Sequence, residues 1–375
     1  IDESIKDEKI YTVNRNMRVL DLAEDGTHIK LWVSAAMDIH NDTVWHPQSL
    51  YKRVTDVVGY PPPEANLGGS DKQLVSDCMH ASWEVAANWQ ANALNYMIKN
   101  EHYDVVFSHF HNVDAQGHMV IQFLKDKGNA KLSHEYYLQF VEDMYTQTDR
   151  YIGKFLHYLD EGWTVFIVSD HAQVSAEHFQ PFLGSGAGVN IHVMRELGFT
   201  YVKQDAEGND LHEIDWEKTK AVAVRCNHIY INLKGRDPHG IVDPADKYEL
   251  EEQIITDLYG YKDPKTGHRI VSMALHNKDA VLLGLGGPMG SDIVFFVHDD
   301  YCYDHGNGLS TACGHNNTTL SPIFLAAGPG IKQNYRTERY IREVDVAPTA
   351  AVLLGVDIPE QCEGAPAYQI LSENL

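Results

Sequence analysis

The chain has 375 residues, 43% of them hydrophobic, and 30 basic against 53 acidic side chains give it a formal net charge of −23. That apolar content supplies a core for one large α/β domain with an insertion or for two domains, while the acidity excludes general binding to nucleic-acid polymers or anionic membrane surfaces. No run of 18 apolar residues occurs, which excludes a transmembrane helix.

The five cysteines, Cys78, Cys226, Cys302, Cys313 and Cys362, contain no C-x-x-C pair. A disulfide framework is therefore not expected, and a reducing, cytoplasmic compartment fits better. The opening IDESIKDEKIYTV is neither a signal peptide nor an initiator-Met start.

In chain order, MRVLDLA (17–23) and THIKLWVSA (27–35) flank Glu24-Asp25-Gly26 and predict a hairpin. Residues 56–74 are rich in Pro, Gly and polar groups and read as a loop. Residues 82–100 read as a helix, with Trp89, Ala93 and Met97 at i, i+4 spacing. YDVVFSHF (103–110) reads as a buried strand running into HNVDAQGH. The strongest helical stripe lies in 134–159, through Phe140, Val141, Met144, Thr148, Tyr151, Ile152 and Phe155. TVFIVSDHAQ (164–173) is a strand ending in Asp170 and His171, and a short helix follows near 188–197.

Strand, helix, strand with buried apolar runs predicts a mostly parallel sheet flanked by helices. From about 200 to 290 the texture changes. AVAVRCNHIYINL (221–233) reads as strand and YELEEQIITDLYG (248–260) as helix, so this segment is expected to be an α+β cap inserted into the core. DIVFFV (292–297), SPIFLAAG (321–328) and a helix at 344–355 complete the core. The expected division is an α/β core of 1–199 with 291–375, and a cap of 200–290.

Active sites of open α/β sheets gather at the carboxyl ends of strands. One such end delivers Asp114 and His118, a second delivers Asp170 and His171, and His315 lies before strand 321–328. Singly, each has a plain structural reading: Asp114 as a turn residue, His118 as a loop histidine. His109 and His111 are ligands by type, but packing or support of a ligand suits them better. His178, His228 and His305 carry no pattern, and Cys313 reads as a small buried hydrophobe. Together, two Asp and three His form a mixed nitrogen and oxygen set that suits Zn or Mn better than Mg or Ca.

The order of these motifs, D-x-x-G-H after a strand, S-D-H after a strand, then G-H before a strand ending in G-P-G-I, resembles the alkaline phosphatase superfamily. It is most similar to the type I phosphodiesterase/nucleotide pyrophosphatase branch and the related phosphohydrolase/phosphomutase proteins. INLKGRDPHGIV (231–242), DPKTGH (263–268) and VDVAPTAAVLLGVDIPE (344–360) add to the likeness. The family writes Gly after S-D-H, where this chain has Ala172.

The resemblance implies an alkaline phosphatase-like core and two divalent metal ions, Zn or Mn. Asp114, His118 and His315 would hold one, and Asp170 and His171 the other. Two such ions clamp a transferring phosphoryl group and stabilise the attacking and leaving oxygens. The implied activity is hydrolysis of small phosphate esters, phosphodiesters or nucleotide pyrophosphates first. A phosphomonoesterase, a phosphonate hydrolase, a phosphomutase and a non-catalytic metal-binding subunit are the alternatives. The family also places a further Asp ligand on its first strand, followed by a Thr or Ser nucleophile. Asp25-Gly26 sits in a hairpin turn and Thr43 in HNDTVWHP matches neither role. A segment outside this chain, in a longer protein or a partner chain, is therefore expected to supply that strand, the Asp and the nucleophile.

Overall fold

In a computed structural model of the chain, residues 2–6, 9–40, 42–66, 72–117, 134–172, 189–224, 228–298 and 322–373 are described. They divide into two units, 1–168 with 324–375 and 169–323.

The first unit opens with β1 (Asp2–Lys6) and β2 (Lys9–Asn14), joined by β5 (Met37–Asp38) in a three-stranded sheet of order β1-β2-β5. Between them β3 (Met17–Leu22) and β4 (Ile29–Val33) form the expected hairpin. Helices α1 (Ser49–Val58) and α2 (Lys72–Glu101) follow; α2 begins ten residues before the stretch 82–100 read from periodicity. Its i, i+4 stripe packs as its spacing requires, with Ala93 buried against Leu50 and Val54 of α1 and flanked by Trp89 and Met97. Residues 112–117 are helical (α3), and α4 (His134–Gly153) carries Phe140, Met144 and Tyr151 into the core. A 3-10 turn at Leu156–Leu159 ends that helical stretch.

The segment 103–110 departs from expectation. It has no regular secondary structure, and Val105 and Phe107 are 60% and 86% exposed. Its composition suits a strand, but a strand exists only through a ladder, and none pairs with it among the described residues. Its end is anchored instead by side chains. Phe110 stacks on Tyr151 with ring centroids 3.9 Å apart, and Gln90 Nε2 donates to the His109 carbonyl at 2.7 Å.

Strand β6 (Val165–Val168) is found where the sequence puts it. It pairs with β14 (Phe324–Ala327) antiparallel, Phe324 opposite Val168 and Ala327 opposite Val165. A glycine is required next to this pair: Gly328 has φ +125°, and an added Cβ would lie 2.5 Å from the Trp163 carbonyl oxygen. Helix α8 (Val346–Leu354) has Pro348 in its first turn and ends at left-handed Gly355.

The second unit holds β7 (Val189–Asn190), α5 (Ile191–Glu196) and the hairpin β8 (Val202–Gln204) with β9 (Asp210–Ile214). Its main sheet has the order β12-β13-β11-β10-β7, from β10 (Ala221–Val224), β11 (His228–Ile231), β12 (Val271–His276) and β13 (Ile293–Val297). It draws strands from both sides of the segment 200–290. The stretch 221–233, read as one strand, is two antiparallel strands, Ala221 opposite Ile231. Helix α6 (Lys247–Gly260) covers the sheet with Ile254 and Leu258, both fully buried, each contributing about 2 kcal/mol. Two short helical turns, α7 (Asn277–Ala280) and a 3-10 turn at Val281–Leu283, follow β12.

The chain therefore mixes helices with small sheets. All ladders between its named strands are antiparallel, so the mostly parallel sheet expected from the sequence is not among the described residues. The reason is local: the parallel reading needed 103–110 beside β6, and 103–110 makes no ladder. Among the described residues no helix is long and apolar enough to cross a membrane.

Candidate metal centre

Asp114 sits on α3, whose orientation is fixed by two amides. Asn112 and Gln116 are four residues apart, on one face of the turn, and both are fully buried. Asn112 Nδ2 donates to Thr148 Oγ1 of α4 at 2.9 Å, and Gln116 Nε2 donates to Asn112 Oδ1. Gln147 of α4 then donates to the His80 carbonyl and to Glu84 Oε2 of α2, both at 2.9 Å. Glu84 also accepts from Arg150, and its carboxyl is held below the usual range, first by Gln147. With 112 and 116 inward, a residue halfway between them faces outward, and that residue is Asp114.

Asp114 Oδ2 contacts His111 Nε2, and the His111 ring lies 4.9 Å from that of His109. A histidine on a carboxylate oxygen is the kind of support that orients a metal-ligating carboxylate.

Asp170 and His171 follow β6 directly. The turn is held by Ser169, whose N–H donates to the Ile323 carbonyl at 3.2 Å and whose Oγ accepts from the Ile323 N–H at 3.0 Å. Asp170 Oδ1 accepts from the His171 N–H at 3.1 Å. His171 Nδ1 lies 3.0 Å from the Ala172 carbonyl oxygen. A carbonyl only accepts, so Nδ1 carries the proton and, in the neutral ring, Nε2 carries the lone pair. That lone pair lies on the side of Asp170, with Nε2 3.9 Å from Oδ2. The Asp170 side chain is 68% exposed.

One imidazole nitrogen and one carboxylate, adjacent and with the histidine tautomer fixed by a backbone carbonyl, fit the donor chemistry of a divalent ion. The positive-φ non-glycine positions are His102 and Asn334 among the described residues. Ala172 in the family's glycine position therefore carries no left-handed strain.

Asp170 and His171 come together at one strand end. Asp114 lies in the first unit and they lie in the second. His118 and His315 fall outside the described residues. Among the described residues, no group of three or more His, Cys, Asp or Glu side chains is placed to hold a metal.

Within the second unit a cavity of about 370 Å³ is lined by Arg236, Lys247, Tyr248, His276, Lys278 and Asp292. Asp292 is its organising group. Its oxygens accept two hydrogen bonds from Arg236, at 2.7 and 2.8 Å, and one from the Ile231 N–H at 2.7 Å. Lys247 lies 3.1 Å away and also pairs with Glu251. Burial alone would raise the Asp292 carboxyl; Arg236, the Ile231 amide and Lys247 outweigh it and hold it below the ordinary range. Arg236 belongs to the KGRDPHG turn, where Gly240 is required because a Cβ would meet the Leu233 carbonyl at 2.2 Å. Arg236 and Lys247 are neutralised by the buried carboxylates of Asp292 and Glu251, which makes this part of the cluster structural.

The type I phosphodiesterase/nucleotide pyrophosphatase family model matches residues 23–318. The chain belongs to that family. Among solved structures, a crystal structure of wild-type alkaline phosphatase PafA is similar at 17% identity with a TM-score of 0.47. The match covers 80% of this chain and 54% of that one, so this chain spans about half that protein's length. No curated protein sequence matches.

Proposed function

We propose that this chain is the metal-binding portion of a two-metal hydrolase of small phosphate esters, with phosphodiesters or nucleotide pyrophosphates as first substrates. The observation that carries the reading is the end of β6. Asp170 and His171 stand side by side there, the histidine tautomer is fixed by the Ala172 carbonyl, and the chain belongs to a phosphodiesterase family.

Asp170 and His171 would hold one divalent ion, Zn or Mn; Asp114, supported by His111, would join His118 and His315 around the other. Such ions, when bound, neutralise phosphate oxygens and activate an oxygen nucleophile. On a chain of net charge −23 they would also supply the local positive field that an anionic ester needs. The division into an α/β core of 1–199 with 291–375 and a cap of 200–290 belongs to the same reading.

The nucleophile, a Thr or Ser, comes from a segment outside this chain, in a longer protein or a partner.

The test is turnover of bis-nitrophenyl phosphate with Zn or Mn, together with metal content. Asp170→Ala and His171→Ala should each lower bound metal by about one equivalent, with Asp114→Ala removing the other. Unchanged occupancy in all three variants refutes the assignment. Turnover by the chain on its own would overturn the external nucleophile and leave the metal assignment standing.

A further inference from the structure

The cavity of about 370 Å³ in the second unit has the size of a small-molecule site, and the Asp292 cluster accounts for only part of its lining. Arg236 is engaged by Asp292, Asp237 and the Ile231 carbonyl, and Lys247 by Glu251 and Asp292. Lys278 on α7 differs. It is exposed and makes no ion pair among the described residues, and its ammonium stands 5.9 Å from the centre of the Tyr248 ring. Tyr248, on the first turn of α6, also lines the cavity and is 59% exposed. Its ring lies parallel to that of His276, 6° between planes with centroids 5.3 Å apart. His276 is fixed in turn, Nδ1 3.1 Å from Glu251 and Nε2 2.7 Å from Glu252. A further wall, Gly287 to Gly290, is clamped by Asn277. Its Nδ2 donates to the Gly287 and Ser291 carbonyls at 2.9 and 2.8 Å, and its Oδ1 accepts from the Gly287 N–H at 3.1 Å. The cavity is thus preformed, with an aromatic face and an ammonium that the fold itself does not use.

We propose that this cavity binds a small molecule made of a planar ring with one anionic substituent, a carboxylate or a phosphate ester. The ring lies on Tyr248, where an aromatic face gains from offset stacking beyond area alone. The anionic group pairs with Lys278, a charge-assisted contact of the stronger kind. The other polar groups of the lining are already bonded to one another, so one ammonium and one ring set the chemistry. A bare phosphate or other small dianion would leave Tyr248 unused, and a neutral ring would leave Lys278 unused. The site draws on neither Asp170 nor a metal ion, and so stands independently of the phosphoesterase reading.

The experiment is saturation-transfer NMR with titration calorimetry on the metal-free chain in EDTA, with naphthoate and naphthyl phosphate as probes. A dissociation constant of about 1 mM is expected, the affinity that ligand efficiency gives so small a compound. Lys278→Met should weaken binding about tenfold, and Lys278→Arg should keep it. Tyr248→Ala should weaken it about fivefold and Tyr248→Phe should not, because the ring and not the hydroxyl makes the surface. Neutral naphthamide should bind the wild type about tenfold more weakly than naphthoate, and Lys278→Met should bind the two equally. The tighter of the two acids identifies the anionic group. The proposal is overturned if neither acid binds at about 10 mM. It is overturned equally if Lys278→Met and Tyr248→Ala both bind as the wild type does, or if naphthamide binds as well as naphthoate. Loss of binding in Asp170→Ala would place the probes at the proposed metal centre and overturn it as well.

Discussion

Asp292 concentrates an unusual amount of the second unit's stability on one carboxylate. It is 5% exposed, it bridges Arg236 and Lys247, and it accepts the Ile231 amide that begins the turn into KGRDPHG. Removing one partner of a buried charge network leaves the others uncompensated. Asp292→Ala is therefore expected to cost about 3 kcal/mol in urea unfolding at pH 7. The pH dependence has a definite sign. Because the folded carboxyl titrates below its unfolded value, its contribution is complete above the ordinary carboxylate range, near 3.9, and fades as pH falls through the depressed folded value. The variant should thus lose the part of the acid-side decline that Asp292 supplies. Equal acid sensitivity of the two proteins, with equal stability at pH 7, would remove Asp292 from this role.

At the level of elements, α3 shows how a residue proposed as a metal ligand is aimed by its neighbours. Asn112 and Gln116 are tied to α2 and α4, and that tie turns Asp114 outward. Asn112→Ala should cost about 2 kcal/mol, because it also leaves the buried Gln116 amide without its first acceptor. It should weaken metal binding at the Asp114 site more than at the Asp170 site; equal binding at both, measured by titration calorimetry, would mean α3 is positioned by something else.

These amides were readable in HNVDAQGH as an i, i+4 pair, yet the stretch reads first as the end of a strand. Where an element is held by its own periodicity, as in the hairpin 17–33, the stripe of α4 and α6, the sequence is legible. The β6 turn with Asp170 and His171 was legible too, because an apolar run ended abruptly in two ligand-type residues. Segment 103–110 and the stretch 221–233 were not. Whether an apolar run pairs, and in which direction, depends on neighbours distant in sequence, and no local pattern encodes that partner.

For the whole molecule the dominant fact is the charge of −23, which acts on stability through self-repulsion. Exposed ion pairs such as Lys52–Asp56 and Lys203–Glu213 oppose it, but each contributes little and both effects are screened over about 10 Å at 0.1 M salt. With 53 acidic groups against 30 basic ones, repulsion outweighs these pairs, so added NaCl should raise the midpoint of thermal unfolding. A rise of about 2 °C between low salt and physiological ionic strength corresponds to roughly 1 kcal/mol. Bound metal acts differently. It stabilises by mass action, by about 2.7 kcal/mol at a hundredfold excess over its dissociation constant, at concentrations far too low to screen. Micromolar Zn or Mn should therefore raise the midpoint well beyond an ionic-strength match in NaCl. Asp170→Ala should reduce that metal increment and leave the salt increment intact. If the variant loses neither, or loses both together, the ions are acting as general counter-charge and Asp170 is not a ligand.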